Sequence, residues 1–238
     1  MTYFFIKRCI LCGLPCSGMD GDTYSVPVCS SCTAELDEWK NLYRNQCPTC
    51  GTFLLWQRQD CPRCHESEGE SPLETIRCVG PFRGIGRRIV LAYKKSGYRR
   101  LCGLCADLLE PSLAQSSHDC LIVPVPSQQK NVRKRGFDHM ACICRELAAR
   151  TNCGYASLLI HLQEEQKGLT RQQRLDSHGY ALKHLLFFRR TAISRIPWKT
   201  MLLVDDVRTS GGTLHHCAGL LSNVFQMPIH GLVLCDEP

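Results

Sequence analysis

No stretch of this 238-residue chain comes near the ~20 consecutive apolar residues that a membrane-spanning helix needs, so none is expected. The start, Met1 to Ile10, is short, places Lys7 and Arg8 behind its apolar residues, and lacks the long apolar core of a secretory signal. A cytoplasmic setting is therefore the expectation. Aromatic residues are scarce, 8% of the chain, and do not interleave with the basic runs, which argues against an extended base-stacking platform. Acidic residues are in deficit: 22 Asp and Glu face 29 Lys and Arg, a formal charge of +7. That balance suits an anionic ligand or nucleic acid and identifies neither.

Cysteine, by contrast, is abundant, with 18 in the chain and half of them in the first 64 residues. In a reducing cytosol, clustered thiols point to metal before disulfides. Four Cys-x-x-Cys pairs follow one another: Cys9/Cys12, Cys29/Cys32, Cys47/Cys50 and Cys61/Cys64. Two intervening residues let both sulfurs of a knuckle face one tetrahedral Zn²⁺, and two knuckles complete a site. Gly13 and Gly51, each just after a knuckle, fit turns that favour positive φ. Two structural zinc ions are expected. Sequential pairing is the simplest arrangement (Cys9, Cys12, Cys29 and Cys32 on one ion, Cys47, Cys50, Cys61 and Cys64 on the other), with crossed pairing as the alternative. Cys16 and His65 are spare ligand candidates, read as bystanders. The apolar content here is thin, so metal supplies much of the folding free energy. Redox-active Cys-x-x-Cys chemistry suits four pairs in one small module less well. Later cysteines, including Cys102/Cys105 and Cys142/Cys144, lie on helical apolar spacing and read as small buried hydrophobes.

Glu66 to Pro72 is acidic, small and ends in proline, as a linker does. The expected organisation is a double zinc-ribbon module over 1–65, a linker over 66–74 and an α/β domain over 75–238. Thr75 to Phe82 reads as a strand, Ile85 to Tyr93 and Leu101 to Leu113 as helices, Cys120 to Val125 as a buried strand, and Phe137 to Arg150 as a helix. Ile229 to Cys235 is the closing strand. Between the first two helices lie Lys94 and Lys95. After the buried strand, Lys130, Arg133, Lys134 and Arg135 form an anion-facing loop. Gln166 to Ser177 is polar and basic and reads as a mobile flap closing over a phosphate ligand with Arg171 and Arg174, the alternative being a plain exposed loop; Phe187 to Ile196 is a solvated connection.

The most informative stretch is Met201 to Leu214, M-L-L-V-D-D-V-R-T-S-G-G-T-L. An apolar strand leads to Asp205 and Asp206. A turn of Thr209, Ser210, Gly211, Gly212 and Thr213 then enters a helix with apolar residues at Leu214, Cys217, Leu220, Leu221 and Val224. Ligands of open α/β sheets sit beyond the carboxyl ends of strands. A loop of glycines and hydroxyls before a helix offers N–H groups and the helix dipole to a phosphate. Adjacent carboxylates only accept hydrogen bonds and so suit a sugar diol. The pattern describes a ribose-phosphate pocket; the plain alternative is a capped βα turn.

Val204 to Thr213 resembles the phosphoribosyl-diphosphate (PRPP) motif of the type I phosphoribosyltransferases. That resemblance implies a parallel sheet with helices on both faces, Asp205 and Asp206 on the ribose hydroxyls, and Thr209 to Thr213 on the 5′-phosphate. It also implies Mg²⁺ bound with PRPP, and Lys94, Lys95, Arg133 and Arg135 as candidates for the diphosphate. Over nearly the whole chain, Pro124-Val125-Pro126, Arg135-Gly136-Phe137, Gln166-x-x-Leu169-x4-Arg174 and the acidic pair occur in the order of the ComF/GntX family, which also carries an N-terminal double zinc ribbon. The chain departs from that family at Asp138-His139, where Asn-Gln is usual, at Ser177 and at Ala181-Leu182.

The resemblance implies a role in natural competence, moving single-stranded DNA into the cytoplasm or using DNA as a nutrient, with competence-machinery proteins as partners and a place at the inner membrane through them. In purine-salvage relatives an Asp sits three residues after the second acid to handle the base's proton. Here Thr209 occupies that position, so purine salvage is not expected. Two classes remain: a PRPP-binding protein serving DNA uptake, or an active phosphoribosyltransferase with an unassigned acceptor.

Overall fold

The computed structural model describes residues 7–16, 23–55, 61–65, 71–96, 98–113, 119–162, 179–183 and 198–237. The elements run α1 (Ser30–Asn41), α2 (Pro62–His65), β1 (Thr75–Pro81), α3 (Gly84–Ser96), α4 (Leu101–Leu113) and β2 (Cys120–Pro124). They continue through α5 (Gln129–Arg135), α6 (His139–Thr151), β3 (Gly154–Tyr155), β4 (Leu159–His161) and β5 (Tyr180–Leu182). The last three are β6 (Thr200–Arg208), α7 (Gly212–Ser222) and β7 (Ile229–Asp236).

Five strands form one sheet in the order β1-β7-β6-β2-β3, and every neighbouring pair is parallel. β4 and β5 pair antiparallel in a separate ribbon. Side chains alternate across the sheet, and both faces are covered. Ile122, Leu202, Val204 and Leu232 enter a core with α3, α4 and α6. Leu121, Val123, Met201 and Leu203 enter a second core with α7 and β4. Double-sided burial is why β2 and β6 read as continuous apolar runs rather than alternating ones. The α/β architecture expected from the sequence is present, with helices on both faces.

β6 runs past its apolar segment, through both acids to Arg208. Its pairing with β7 continues to Arg208↔Asp236, where the Arg208 Nε donates to Asp236 Oδ1 at 2.6 Å and both side chains are buried. A charged strand end is stable there because its cross-strand partner neutralises it. The basic segment after β2 is a correction: it is helix α5, not a loop, and ends at Gly136 with φ +79. The next helix starts at His139 rather than Phe137, because the Asp138 carboxylate accepts from the Met140 and Ala141 N–H groups as N-cap.

The cysteine-rich segment shares a core with the sheet. Tyr24, Val28, Leu36 and Trp39 pack in one apolar cluster with Ile85, Ile89, Leu104 and Leu109. Trp39 of α1 lies flat against Gly80 of β1 and Gly86 of α3; a Cβ at either would come within 2.4 or 2.6 Å of its ring. Its Nε1 donates to the Pro81 carbonyl at 2.8 Å. A second attachment covers the outer edge of β1. The Ile76 N–H donates to Thr49 O at 2.7 Å, and the Gln46 side-chain amide bonds both the N–H and the carbonyl of Cys78 at 3.0 Å. An open edge strand is a template for aggregation, and the knuckle blocks it.

Cys105 and Cys144 are fully buried, as small hydrophobes should be. Cys102 and Cys142 are only half-buried, and their thiols hydrogen-bond each other; that bond, then Arg99 and Tyr93, bring Cys142 down to about 6 against its burial. The flap Gln166 to Ser177, with Arg171 and Arg174, and the connection Phe187 to Ile196 lie outside the described residues.

Candidate functional site

The eight knuckle cysteines gather into two groups: Cys9, Cys12, Cys29 and Cys32, and Cys47, Cys50, Cys61 and Cys64, with the sulfurs of each group within 4.8 Å of one another. The pairing is sequential. A tetrahedral ion at ~2.3 Å from each sulfur requires sulfurs about 3.8 Å apart. The observed separations of 3.6 Å (Cys12–Cys29), 3.7 Å (Cys47–Cys64) and 3.5 Å (Cys50–Cys61) fit that edge length. These are two structural metal sites, and neither group includes Cys16 or His65.

The second site follows from topology. From β2 the chain runs outward to β3, and from β6 it runs the other way to β7, so the two following loops part between β2 and β6. Such a divergence leaves a crevice beyond the strands' carboxyl ends. A cavity of about 190 Å³ lies there, lined among others by Lys94, Ser127, Arg135, His139, Asp205 and Asp206. The acidic pair is thus brought together with residues of α3, α5, α6 and the loop after β2.

Neighbouring residues of a strand point to opposite faces, and the two acids meet different surroundings. Asp206 is buried and faces α3 and α6. Its Oδ1 and Oδ2 lie 2.9 and 2.8 Å from Lys94 Nζ, and His139 Nε2 hydrogen-bonds Oδ2. A carboxylate only accepts, so that ring nitrogen carries the proton. Ser127 Oγ fixes the other side of the ring, 2.8 Å from Nδ1 and 3.1 Å from Asp138 Oδ1. Burial works against charge on Asp206, but the His139 bond and the Lys94 cation outweigh it and hold the carboxyl below the usual range. Asp205 lies near Cys217 and Tyr180 instead. Burial and then the charge on Asp206 push its carboxyl well up, although Oδ1 accepts the Asp206 N–H at 2.8 Å.

The glycine-hydroxyl loop stands between β6 and α7. Gly211 has φ +84, a conformation that suits glycine, and Ser210 Oγ accepts from Gly212 N–H at 3.3 Å. Arg63, between two cysteines of the second metal group, donates to the carbonyls of Thr209, at 3.2 Å, and Ser210. Arg208 donates to the Cys50 carbonyl of the same group. Loop and metal knuckle are therefore joined at two points.

Among the expected diphosphate ligands, Lys94 is at the crevice but paired with Asp206. The side chain of Lys95 lies outside the described residues. Lys130 and Arg133 are exposed on α5, whereas Arg135 lines the cavity and its Nε is buried with no partner. Ser127, His139, Arg63 and Arg208 escaped the sequence reading. For His139 a signal existed, the departure at Asp138-His139; for Arg63 there was none, because a residue inside a knuckle looks like a spacer.

No family model matches the chain, and no curated protein matches it in sequence.

Proposed function

We propose that this chain is a ComF/GntX-type protein with a type I phosphoribosyltransferase-like domain, binding PRPP with Mg²⁺ at the β2/β6 crevice. The observation that carries this is the convergence of Asp205 and Asp206 with Lys94 and Arg135 at the divergence of the sheet, the Thr209–Thr213 loop following directly on the strand that bears the two acids. In this reading the ribose hydroxyls take the acidic pair, competing with Lys94 for Asp206. Lys94, on the last turns of α3, then turns to the diphosphate, where Arg135 offers an unpartnered N–H. The four-cysteine groups hold Zn²⁺, the usual occupant of a tetrahedral thiolate site.

The biological role supported by the family resemblance is DNA uptake, the handling of single-stranded DNA in the cytoplasm beside competence proteins. The exposed Lys130, Arg133 and Lys134 of α5, close to the crevice, supply a positive face for the strand. A second reading, turnover of PRPP onto an unidentified acceptor, is favoured by the opposed shifts of Asp205 and Asp206, since such splits mark acid and base partners.

Calorimetry with PRPP and Mg²⁺ on the wild type and on Asp205→Asn/Asp206→Asn tests the binding site; equal heats would sink it. Pyrophosphate release in the presence of candidate acceptors separates the two readings. Binding of single-stranded DNA that did not weaken with salt would remove the nucleic-acid role.

A further inference from the structure

Resting on the reading of Thr209–Thr213 as a phosphate loop, we propose that Arg63 sets the orientation of that loop's peptides and so couples metal binding to phosphate binding. Arg63 stands between Cys61 and Cys64, and the knuckle turn closes with the Cys64 N–H on Cys61 O at 3.0 Å. Its backbone is thereby placed by two sulfurs of one metal group. Its guanidinium reaches 146 residues along the chain to Thr209 O, and also takes Ser210 O.

The consequence follows from peptide geometry. In a planar trans peptide the carbonyl and the next residue's N–H point opposite ways, and no described peptide is cis. Thr209 O shares its plane with Ser210 N–H, and Ser210 O with Gly211 N–H. With both carbonyls drawn to Arg63, both N–H groups are turned away from the knuckle, leaving donors for an anion on the loop's other side. Without Arg63 the Ser210–Gly211 peptide is free to rotate, because glycine tolerates either sign of φ. A rotated peptide would present an oxygen to the phosphate.

Two further contacts tie the loop to the metal group. Arg63 Nη1 lies 3.5 Å from Thr52 Oγ1, itself 3.3 Å from Cys50 Sγ. Arg208, the residue before Thr209, donates to Cys50 O. Partners of this kind orient metal ligands and are held by them in return. By linkage, whatever the metal does for phosphate affinity, phosphate does for metal affinity.

The test compares wild type, Arg63→Ala and Arg63→Lys, all keeping the eight cysteines, by hydrogen exchange of residues 209–212 without ligand and by calorimetry with PRPP–Mg²⁺. Expected are faster exchange of the Ser210 and Gly211 amides in Arg63→Ala and about ten-fold weaker PRPP binding, the size of one charged hydrogen bond. Arg63→Lys, which can hold one carbonyl, should fall between. In the wild type, PRPP should slow zinc transfer to a chromophoric chelator, and in Arg63→Ala it should not. Exchange and affinity equal to wild type would overturn the inference while leaving PRPP binding intact. If PRPP bound no form of the protein, the proposed function would fail, and the exchange comparison alone would decide the role of Arg63, unchanged rates overturning it.

Discussion

His139 and Lys94 share the carboxylate of Asp206: the lysine ammonium sits 2.8 Å from Oδ2, and the imidazole Nε2 bonds the same oxygen. The two side chains come from α6 and α3 and meet over the end of β6. Removing the ring leaves Asp206 buried with Lys94 alone and Ser127 with only the Asp138 carboxylate. His139→Ala should cost about 2 kcal/mol in urea melts at neutral pH, the penalty of an unsatisfied buried group. A pH signature separates this from lost packing. The depressed Asp206 contributes stability that is present above the ordinary carboxylate range and is lost as pH falls through it. Wild type should therefore lose more stability between neutral and acid pH than His139→Ala does.

Asp205 should behave in the opposite sense. Its carboxyl is raised, by burial first and by Asp206 second. A raised acid favours the fold while both states are protonated, and that contribution disappears as pH rises through the folded value. Asp205→Asn should match wild type in acid and exceed it by more than about 1 kcal/mol at alkaline pH. The same variant should lose PRPP. A melting temperature that rises as binding falls would mark Asp205 as a group kept for function at a cost in stability.

Trp39 and Gly80 make a tight contact between the cysteine-rich segment and the sheet, with no room for a methyl group. Gly80→Ala should destabilise by about 1–3 kcal/mol through overpacking. Trp39→Leu alone should also destabilise, because the ring is buried. Combined, the two should cost less than their sum, since the smaller side chain leaves space for the methyl. Additive losses in chemical denaturation would rule out the contact as the cause.

Asp236 takes Arg208 Nε at 2.6 Å and the Tyr43 hydroxyl at 2.8 Å in a buried triad. Asp236→Ala leaves an uncompensated guanidinium and should cost about 4 kcal/mol. Adding Arg208→Met should recover part of that loss. Recovery would show that the penalty lies in the unpaired charge rather than in the missing carboxylate.

Purified without chelators, the chain should carry two zinc ions, and Cys47→Ser should carry one. Metal loss from the second group should also uncover β1, whose edge is bonded by Gln46 and Thr49 beside Cys47 and Cys50. Exchange of the Ile76 and Cys78 amides should then rise, and metal analysis with exchange on the same samples checks both.

Much of this molecule was legible from its residues alone. Cysteine spacing identified the knuckles because two intervening residues are a local condition that a tetrahedral ion imposes. Continuous apolar runs located β2 and β6 because both faces of the sheet are covered, and Leu101 to Leu113 matched α4 residue for residue. The strand, acids, loop and helix from Met201 onward were readable for the same reason: each is set by near neighbours.

Only the tertiary structure decided how those parts meet. It paired the knuckles sequentially, and it gave Asp206 hydrogen bonds from a lysine 112 residues away and a histidine 67 residues away, while Asp205 lies by Cys217 and Tyr180. It placed Arg63 on the carbonyls of a loop that no local pattern connects to a metal knuckle. Local spacing dictates which groups are available, because helix and strand periods act over a few residues. Whether a carboxylate is charged, and which way a loop's N–H groups point, depends on burial and on partners brought from distant segments.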